Sequence, residues 1–193
     1  LAYAFDDGPE MVETLRFPGA PFALDPARAA AVQRALRLLH LVAGVSYYKA
    51  AVPPEIRIEG EGIDAATATL LTSIYENGLG EFAYRNGLTL RGNIHFPVAA
   101  THVGGPSGPM PSGEEPSGLK ALLHGEGRAI VAIGGGKDSL VSIEALRALG
   151  VDQTVAWVGS SPLIKACAER TGLPTLNVTR ALSPRLFEYN KQG

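Results

Sequence analysis

The sequence predicts an α/β protein with a parallel β-sheet, and the observations behind this lie in the second half of the chain. Short apolar segments begin at Ala129, Thr154 and Thr175, and each has the length of a buried strand. Helical segments separate them, and the second of these begins at Ser161-Pro162. A run of glycines follows the first strand. This alternation predicts parallel pairing with right-handed crossovers, and ligands of such sheets bind at the carboxyl ends of the strands.

Short strands are predicted in the first hundred residues. The segments on either side of Gly8-Pro9 have the pattern of a β-hairpin, with strands in Leu1–Asp7 and Met11–Phe17. Alternating or apolar residues predict further short strands, and these are Ile56–Glu59, Leu88–Arg91 and Ile94–Ala99.

Two helices are predicted in the same part of the chain. Asp25 followed by Pro26 is a typical helix start, and Gly44 is a suitable end for that helix. Asp64 can cap a second helix that ends near Gly78.

The segment Thr101–Gly118 is dense in Gly, Pro and Ser and predicts a mobile linker or surface loop. A short helix is expected at Leu119–His124. The sequence therefore predicts a smaller α+β domain over residues 1–100, a linker over 101–118, and the start of the parallel-sheet domain over 119–193. Three strands and two helices make a thin core, so we expect the sheet to be incomplete at the C-terminus and to be continued by a further part.

Composition narrows the class of protein. The 193 residues suffice for one domain or two small ones. A net charge of −2 without a basic run argues against nucleic acid as the main partner. Cys167 is the only cysteine, which excludes an internal disulfide and fits a reducing compartment. No apolar stretch reaches transmembrane length, so we expect no membrane contact and predict a cytoplasmic protein. His95 and His102 lack partners at metal-ligand spacing and are expected to be surface or satisfied histidines.

The glycine run belongs to the loop Gly134–Ser139, "GGGKDS", which we predict to bind an anion. Glycines let the backbone bend sharply against a ligand, and the start of the next helix presents free N–H groups. The loop is not a Walker A motif, since Asp138 follows Lys137 and Val131 occupies the place of the first glycine. It is not a dinucleotide fingerprint either, because Ser139 replaces the last glycine. The alternative is a structural turn without a ligand.

Tyr47, Tyr48 and Lys49 form a second candidate site beside the chain break at Pro53-Pro54. Two phenols and an ammonium group can orient a polar ligand. The alternative is that both rings are in the core and that Lys49 is solvated.

The loop resembles the pyrophosphate loop S-G-G-x-D-S of the ATP-pyrophosphatase (PP-loop) proteins, with Gly134 in place of the first serine. That departure removes one hydroxyl contact with phosphate and leaves the backbone nest. Three segments in the same order resemble one PP-loop family, the UDP-N-acetylmuramoyl-L-alanyl-L-glutamate epimerases (MurL-type). They are "GVSYYKAAVP" at Gly44–Pro53, "NGLGEFAYRNGL" at Asn77–Leu88 and "AIGGGKDSLVSIEALRALG" at Ala132–Gly150.

The resemblance implies an ATP- and Mg²⁺-dependent isomerase of peptidoglycan precursor synthesis. Its substrate would be the UDP-linked muramoyl dipeptide, whose terminal L-glutamate is adenylated and converted to D-glutamate. The loop would bind ATP through Gly134, Gly135, Gly136, Lys137, Asp138 and Ser139, and Asp138 would help to place the metal ion. Tyr47, Tyr48 and Lys49 would lie near the substrate rather than in the core, and Lys49 and Tyr48 are the candidates for proton transfer.

Two other classes stay open at this point. A different PP-loop adenylating enzyme, for tRNA thiolation or for amide or thioamide formation, is the first. A tRNA enzyme would need a nucleic-acid-binding surface and often paired cysteines, which this chain lacks. The second is a non-catalytic nucleotide-binding module, which would bind ATP without releasing pyrophosphate.

Overall fold

The computed structural model describes residues 1–99, 128–189 and 191. It divides the chain into two compact units, each built from separate segments. The described part of the first unit consists of residues 1–12, 23–99, 182–189 and 191, and that of the second consists of 13–22 and 128–181. In chain order the elements are β1 (Ala2–Tyr3), β2 (Met11–Val12), β3 (Thr14–Arg16), α1 (Pro26–Ala43), α2 (Val45–Ala51), α3 (Ala65–Gly78), α4 (Gly80–Arg85), β4 (Arg128–Ala132), α5 (Lys137–Ala148), β5 (Asp152–Val158), α6 (Pro162–Arg170), β6 (Thr175–Ala181) and α7 (Pro184–Tyr189).

The two helices predicted in the first unit begin where the sequence indicated. Asp25 accepts a hydrogen bond from the backbone N–H of Arg28 at 2.8 Å, so α1 has the expected N-cap. Asp64 accepts one from the N–H of Thr67 at 2.7 Å and caps α3 in the same way. Gly44 ends α1, and α2 starts directly after it.

Aromatic rings hold the core of the first unit together. The hydroxyl of Tyr75 donates to the carbonyl oxygen of Leu41 at 2.7 Å and so joins α3 to α1. Its ring meets those of Tyr48 and Phe96 edge-on, with centroid distances of 5.6 and 5.0 Å. The buried members of this cluster are Tyr48, Ile63, Ala68, Leu71, Tyr75, Leu79, Leu90, Ile94 and Phe96.

Three strand predictions in this unit are wrong. The segments 56–59, 88–91 and 94–99 are irregular, apart from an isolated bridge between Ile63 and Val98. Their apolar side chains pack into the aromatic core one at a time, as Leu90 and Ile94 do, without a neighbouring strand for the backbone. The hairpin is confirmed only as β1 and β2, which pair antiparallel.

The second unit contains a four-stranded mixed sheet in the order β3-β6-β5-β4. Strands β4, β5 and β6 are parallel, as the alternation of strands and helices predicted, and β3 joins β6 antiparallel. Both helices pack on one face, where the buried cluster consists of Val131, Ile133, Ile143, Val155, Trp157 and Ala168. On the opposite face Ile130 is 71% exposed and Val158 is 55% exposed.

The α/β class is confirmed, but the units are not two consecutive stretches of chain. Strand β3 belongs with the second half because it pairs with β6. Helix α7 belongs to the first unit, where Leu186 packs with Met11 and Tyr47. The predicted linker at 101–118, the predicted helix at 119–124 and His102 lie outside the described residues. None of the described helices is long and apolar enough to cross a membrane.

An ion pair across the edge of the sheet joins the two ends of the sequence. The carboxylate of Glu13, which is fully buried, accepts two hydrogen bonds from the guanidinium of Arg180, at 2.6 and 3.0 Å. The bidentate geometry satisfies both charged groups at once. Because burial of a carboxylate is costly without such a partner, the pair fixes β3 in register on β6.

We therefore expect Glu13→Ala to lower the free energy of unfolding by about 3 kcal/mol, since it takes the buried carboxylate away from Arg180. Glu144→Ala, which removes the exposed ion pair with Arg147, is the matched control and should cost less than about 1 kcal/mol. Denaturant unfolding of both variants measures the difference. Equal losses would contradict the special role of the buried pair.

Candidate functional site

The glycine loop lies at the carboxyl end of β4, between that strand and α5. The N–H of Ile133 donates to the carbonyl oxygen of Ala156 at 2.9 Å and keeps the end of β4 on β5. Gly135 then turns the chain with φ of +82°, in the left-handed region that glycine tolerates. Gly136 is extended and is the N-cap of α5. The predicted strand, turn and helix are confirmed, and the turn lies where ligands of parallel sheets bind.

The space above this loop is open. A Cβ atom added to Gly134 or to Gly136 would meet nothing within 4 Å. Helix α5 has no side-chain cap, whereas the other described helices of eight or more residues are capped by Asp25, Asp64 and Ser161. The N–H groups of its first turn therefore lack both an intrahelical partner and a capping side chain. An anion can take that place and would also meet the positive end of the helix dipole.

Among the side chains of the loop, the ammonium group of Lys137 can complement such an anion. Lys137 and Asp138 are exposed and form no ion pair with any described residue. The half-buried Ser139 donates its hydroxyl hydrogen bond to the carbonyl oxygen of Gly136 at 2.8 Å. Among the described residues no group of three or more acidic, His or Cys side chains could hold a metal ion. Asp138 supplies the carboxylate of this loop, and carboxylate oxygens are ligands of the kind that Mg²⁺ prefers.

Two buried polar groups at the same end of the sheet were not singled out from the sequence. Trp157 and Asn177 are partners in register on β5 and β6. The indole Nε1 and the amide Oδ1 are buried without a hydrogen-bond partner among the described residues. Buried polar groups without a hydrogen-bond partner are rare, because leaving them unpaired costs free energy. The sequence contains one signal, an asparagine within an apolar strand. This signal does not identify the hydrogen-bond partner that the side chain lacks.

The structure places Tyr47 and Tyr48 in the core, and the expectation that they lie outside it is wrong. Tyr47 is 2% exposed, stacks on Tyr3 at 4.0 Å between ring centroids, and accepts a hydrogen bond from the N–H of Ser183 at 3.3 Å. Tyr48 is 7% exposed within the aromatic cluster. Successive residues of a helix point in different directions. Tyr47 and Tyr48 both point into the core, whereas Lys49 points to solvent.

Lys49 is the member of this trio whose charge is accessible. It is exposed, and its Nζ lies 5.2 Å from the centroid of the Phe82 ring. Burial raises the pKa of the Tyr48 hydroxyl, which therefore stays protonated near neutral pH and does not serve as a base there. The substrate-binding role of the trio stays a prediction, and only Lys49 has a charged group in position to meet a ligand.

Substitutions at Tyr48 and Lys49 distinguish a role in core packing from a role in ligand binding. Tyr48→Ala should lower the free energy of unfolding by about 3 kcal/mol, because it leaves a cavity in the aromatic core. Lys49→Ala should lower it by less than about 1 kcal/mol and weaken the binding of an anionic precursor roughly tenfold. Lys165→Ala, an exposed lysine of α6 paired with Glu169, is the control. Unchanged precursor affinity in Lys49→Ala would show that this lysine has no part in binding.

Comparison with known proteins assigns the family. The family model for the MurL N-terminal domain matches residues 1–193. The chain is 63% identical over its whole length to the UDP-N-acetyl-alpha-D-muramoyl-L-alanyl-L-glutamate epimerase of Xanthomonas oryzae pv. oryzae, of which it covers 40%. It is 38% identical over 94% of its length to the protein of that name from Micromonospora sp., covering 37% of it.

A third protein of that name, from Salinispora tropica, is 37% identical over 94% of the chain, which covers 36% of it. The chain thus spans about two-fifths of the length of the curated relatives it matches. No solved structure matches it. The resemblance detected in the three sequence segments is confirmed, and the chain belongs to the MurL N-terminal domain family.

Proposed function

We propose that the protein to which this chain belongs inverts the terminal L-glutamate of UDP-N-acetylmuramoyl-L-alanyl-L-glutamate to D-glutamate with the help of ATP. The observation that carries the proposal is the 63% identity over the full chain to an epimerase of that substrate. The open glycine loop supports the use of ATP, because its geometry suits a phosphate group. The PP-loop character of the sheet is part of the same proposal.

The chemistry explains why an epimerase would use ATP. The hydrogen on the α-carbon of glutamate is weakly acidic because its removal would add charge beside a carboxylate. Transfer of AMP from ATP to an oxygen of the α-carboxylate releases pyrophosphate and removes that negative charge. The α-proton then becomes easier to abstract. A base on one face and an acid on the other then exchange the proton and invert the centre. Water finally hydrolyses the mixed anhydride, which releases AMP and restores the free carboxylate of the D-glutamate.

The residues of the loop have separate tasks in this scheme. The N–H groups of Gly135, Gly136 and the first turn of α5 hold the phosphates and the leaving pyrophosphate. Lys137 offsets their negative charge, and Asp138 supplies a ligand to Mg²⁺. These groups are fixed by the strand before them and the helix after them, so they need little rearrangement when the nucleotide binds.

The substrate and the compartment follow from the same proposal. A UDP-linked muramoyl dipeptide carries phosphates and glutamate carboxylates, and the exposed ammonium group of Lys49 is our candidate to pair with one of these anionic groups. Of the two residues considered for proton transfer, Tyr48 is buried and protonated, so Lys49 is the candidate with an accessible nitrogen. Both ATP and a nucleotide-linked precursor point to the cytoplasm as the place of reaction.

Gly136→Ala tests the loop in the full-length protein. The added methyl group is tolerated by the fold, because Gly136 has φ of −91° and open space around it, but it enters the volume that a phosphate would occupy. We expect ATP affinity and pyrophosphate release to fall at least about tenfold, the loss of one charge-assisted contact. Gly135→Val is a poorer test, since φ of +82° at Gly135 strains any side chain there.

The matched control is Gly78→Ala, a glycine of α3 that also has open space around it. Its ATP affinity and pyrophosphate release should equal those of the wild type. If Gly136→Ala folds normally and keeps full ATP affinity, the loop is not the nucleotide site.

A further inference from the structure

A groove in the first unit has the composition of a second binding site. It measures about 540 Å³ and runs between α3 and the irregular segment that follows α4. The groove is open to solvent, so a bound ligand would be held mainly by the polar groups of its walls. One wall is a single face of α3, because residues three and four apart in a helix lie side by side. The other wall contains Arg91 and His95.

The second wall offers positive charge and hydrogen-bond donors. Arg91 and His95 are exposed, and neither has an ion pair or hydrogen bond with another described residue. The position of Arg91 is held by its neighbour, since the N–H of Gly92 donates to Oε1 of Glu76 at 2.6 Å. Arginine and histidine together are suited to bind a phosphate through charge-assisted hydrogen bonds.

The α3 wall is polar but uncharged over most of its length. Thr72 and Ser73 provide hydroxyl groups, and Asn77 donates to the hydroxyl of Ser73 at 3.1 Å. The carboxylate of Glu76 has a second oxygen that can accept from a ligand hydroxyl. A sugar ring has hydroxyl donors and acceptors at its edge, which match this wall.

Buried apolar residues complete the lining. Ala68 is 6% exposed and Phe96 is 7% exposed, and the ring of Phe96 is fixed edge-on against Tyr75. Both side chains are largely covered by the core, so they form the floor of the groove and leave most contacts with a ligand to the polar walls. A small anion alone would contact the Arg91 end and leave the rest of the groove unused.

We infer that this groove binds the glycosyl phosphate part of a nucleotide sugar, with the phosphate against Arg91 and His95 and the sugar along Thr72 and Ser73. The inference rests on the proposed function, because the substrate in the relatives' name carries a sugar joined to a nucleotide. The inference adds the location of that substrate, which is held in a unit other than the one that contains the glycine loop.

The test uses the full-length protein with the double substitution Arg91→Gln and His95→Gln, and UDP-N-acetylmuramic acid as the probe. Calorimetry without ATP should show at least a tenfold loss of affinity. Thr72→Val, which keeps the shape and removes the hydroxyl, should weaken the same binding about threefold. Arg34→Gln, an exposed arginine of α1 outside the groove, is the matched control and should bind normally. N-acetylglucosamine 1-phosphate should compete, and uncharged N-acetylglucosamine should not.

The possible results are distinct. Weaker probe binding in the groove variants, with ATP affinity unchanged, supports the inference. Normal probe binding in the double variant overturns it and leaves the proposed function intact, because the wild type would still bind the precursor elsewhere. A wild-type protein that binds no UDP-N-acetylmuramic acid also overturns this inference, whereas the proposed function is overturned only if the complete precursor is not epimerised.

Discussion

The parallel pairing of β4 with β5 is the constraint on which the candidate nucleotide site depends. Five consecutive residue pairs hold the strands together, and the hydrogen bond from Ile133 to Ala156 extends the ladder to the residue before the glycines. The loop therefore starts from a fixed point at the strand end. Gly135 makes the turn, and α5 begins two residues later with uncapped N–H groups. A phosphate site at this position would result from backbone geometry more than from side chains.

Short-range patterns in the sequence predicted those parts of the fold that depend on interactions between nearby residues. The caps of Asp25 and Asp64 act within three residues, and the glycines of the loop act on their own backbone, so both were correct. The pairing of Glu13 with Arg180 spans 167 positions, and no pattern near either residue indicates the other. The division into units depends on such distant contacts, which short-range patterns in the sequence do not show.

Burial of the tyrosines shows a related limit of sequence reasoning. Tyr47, Tyr48 and Lys49 are adjacent in the chain and polar in type, which suggested one ligand site. In the structure the two rings are packed in the core while the ammonium group is in solvent, because neighbouring residues of a helix point in different directions. The direction in which a short helix presents each side chain depends on the tertiary contacts around it. The groove beside α3 combines residues from two segments and had no local signal at all.

The central proposal is that this loop serves an ATP-dependent epimerisation. The most direct measurement is the release of pyrophosphate from ATP by the full-length protein, with and without the UDP-linked muramoyl dipeptide, followed by chiral analysis of the glutamate. The account predicts pyrophosphate release that depends on the precursor and is accompanied by D-glutamate. ATP binding without pyrophosphate release, or D-glutamate formed equally well without ATP, would contradict it.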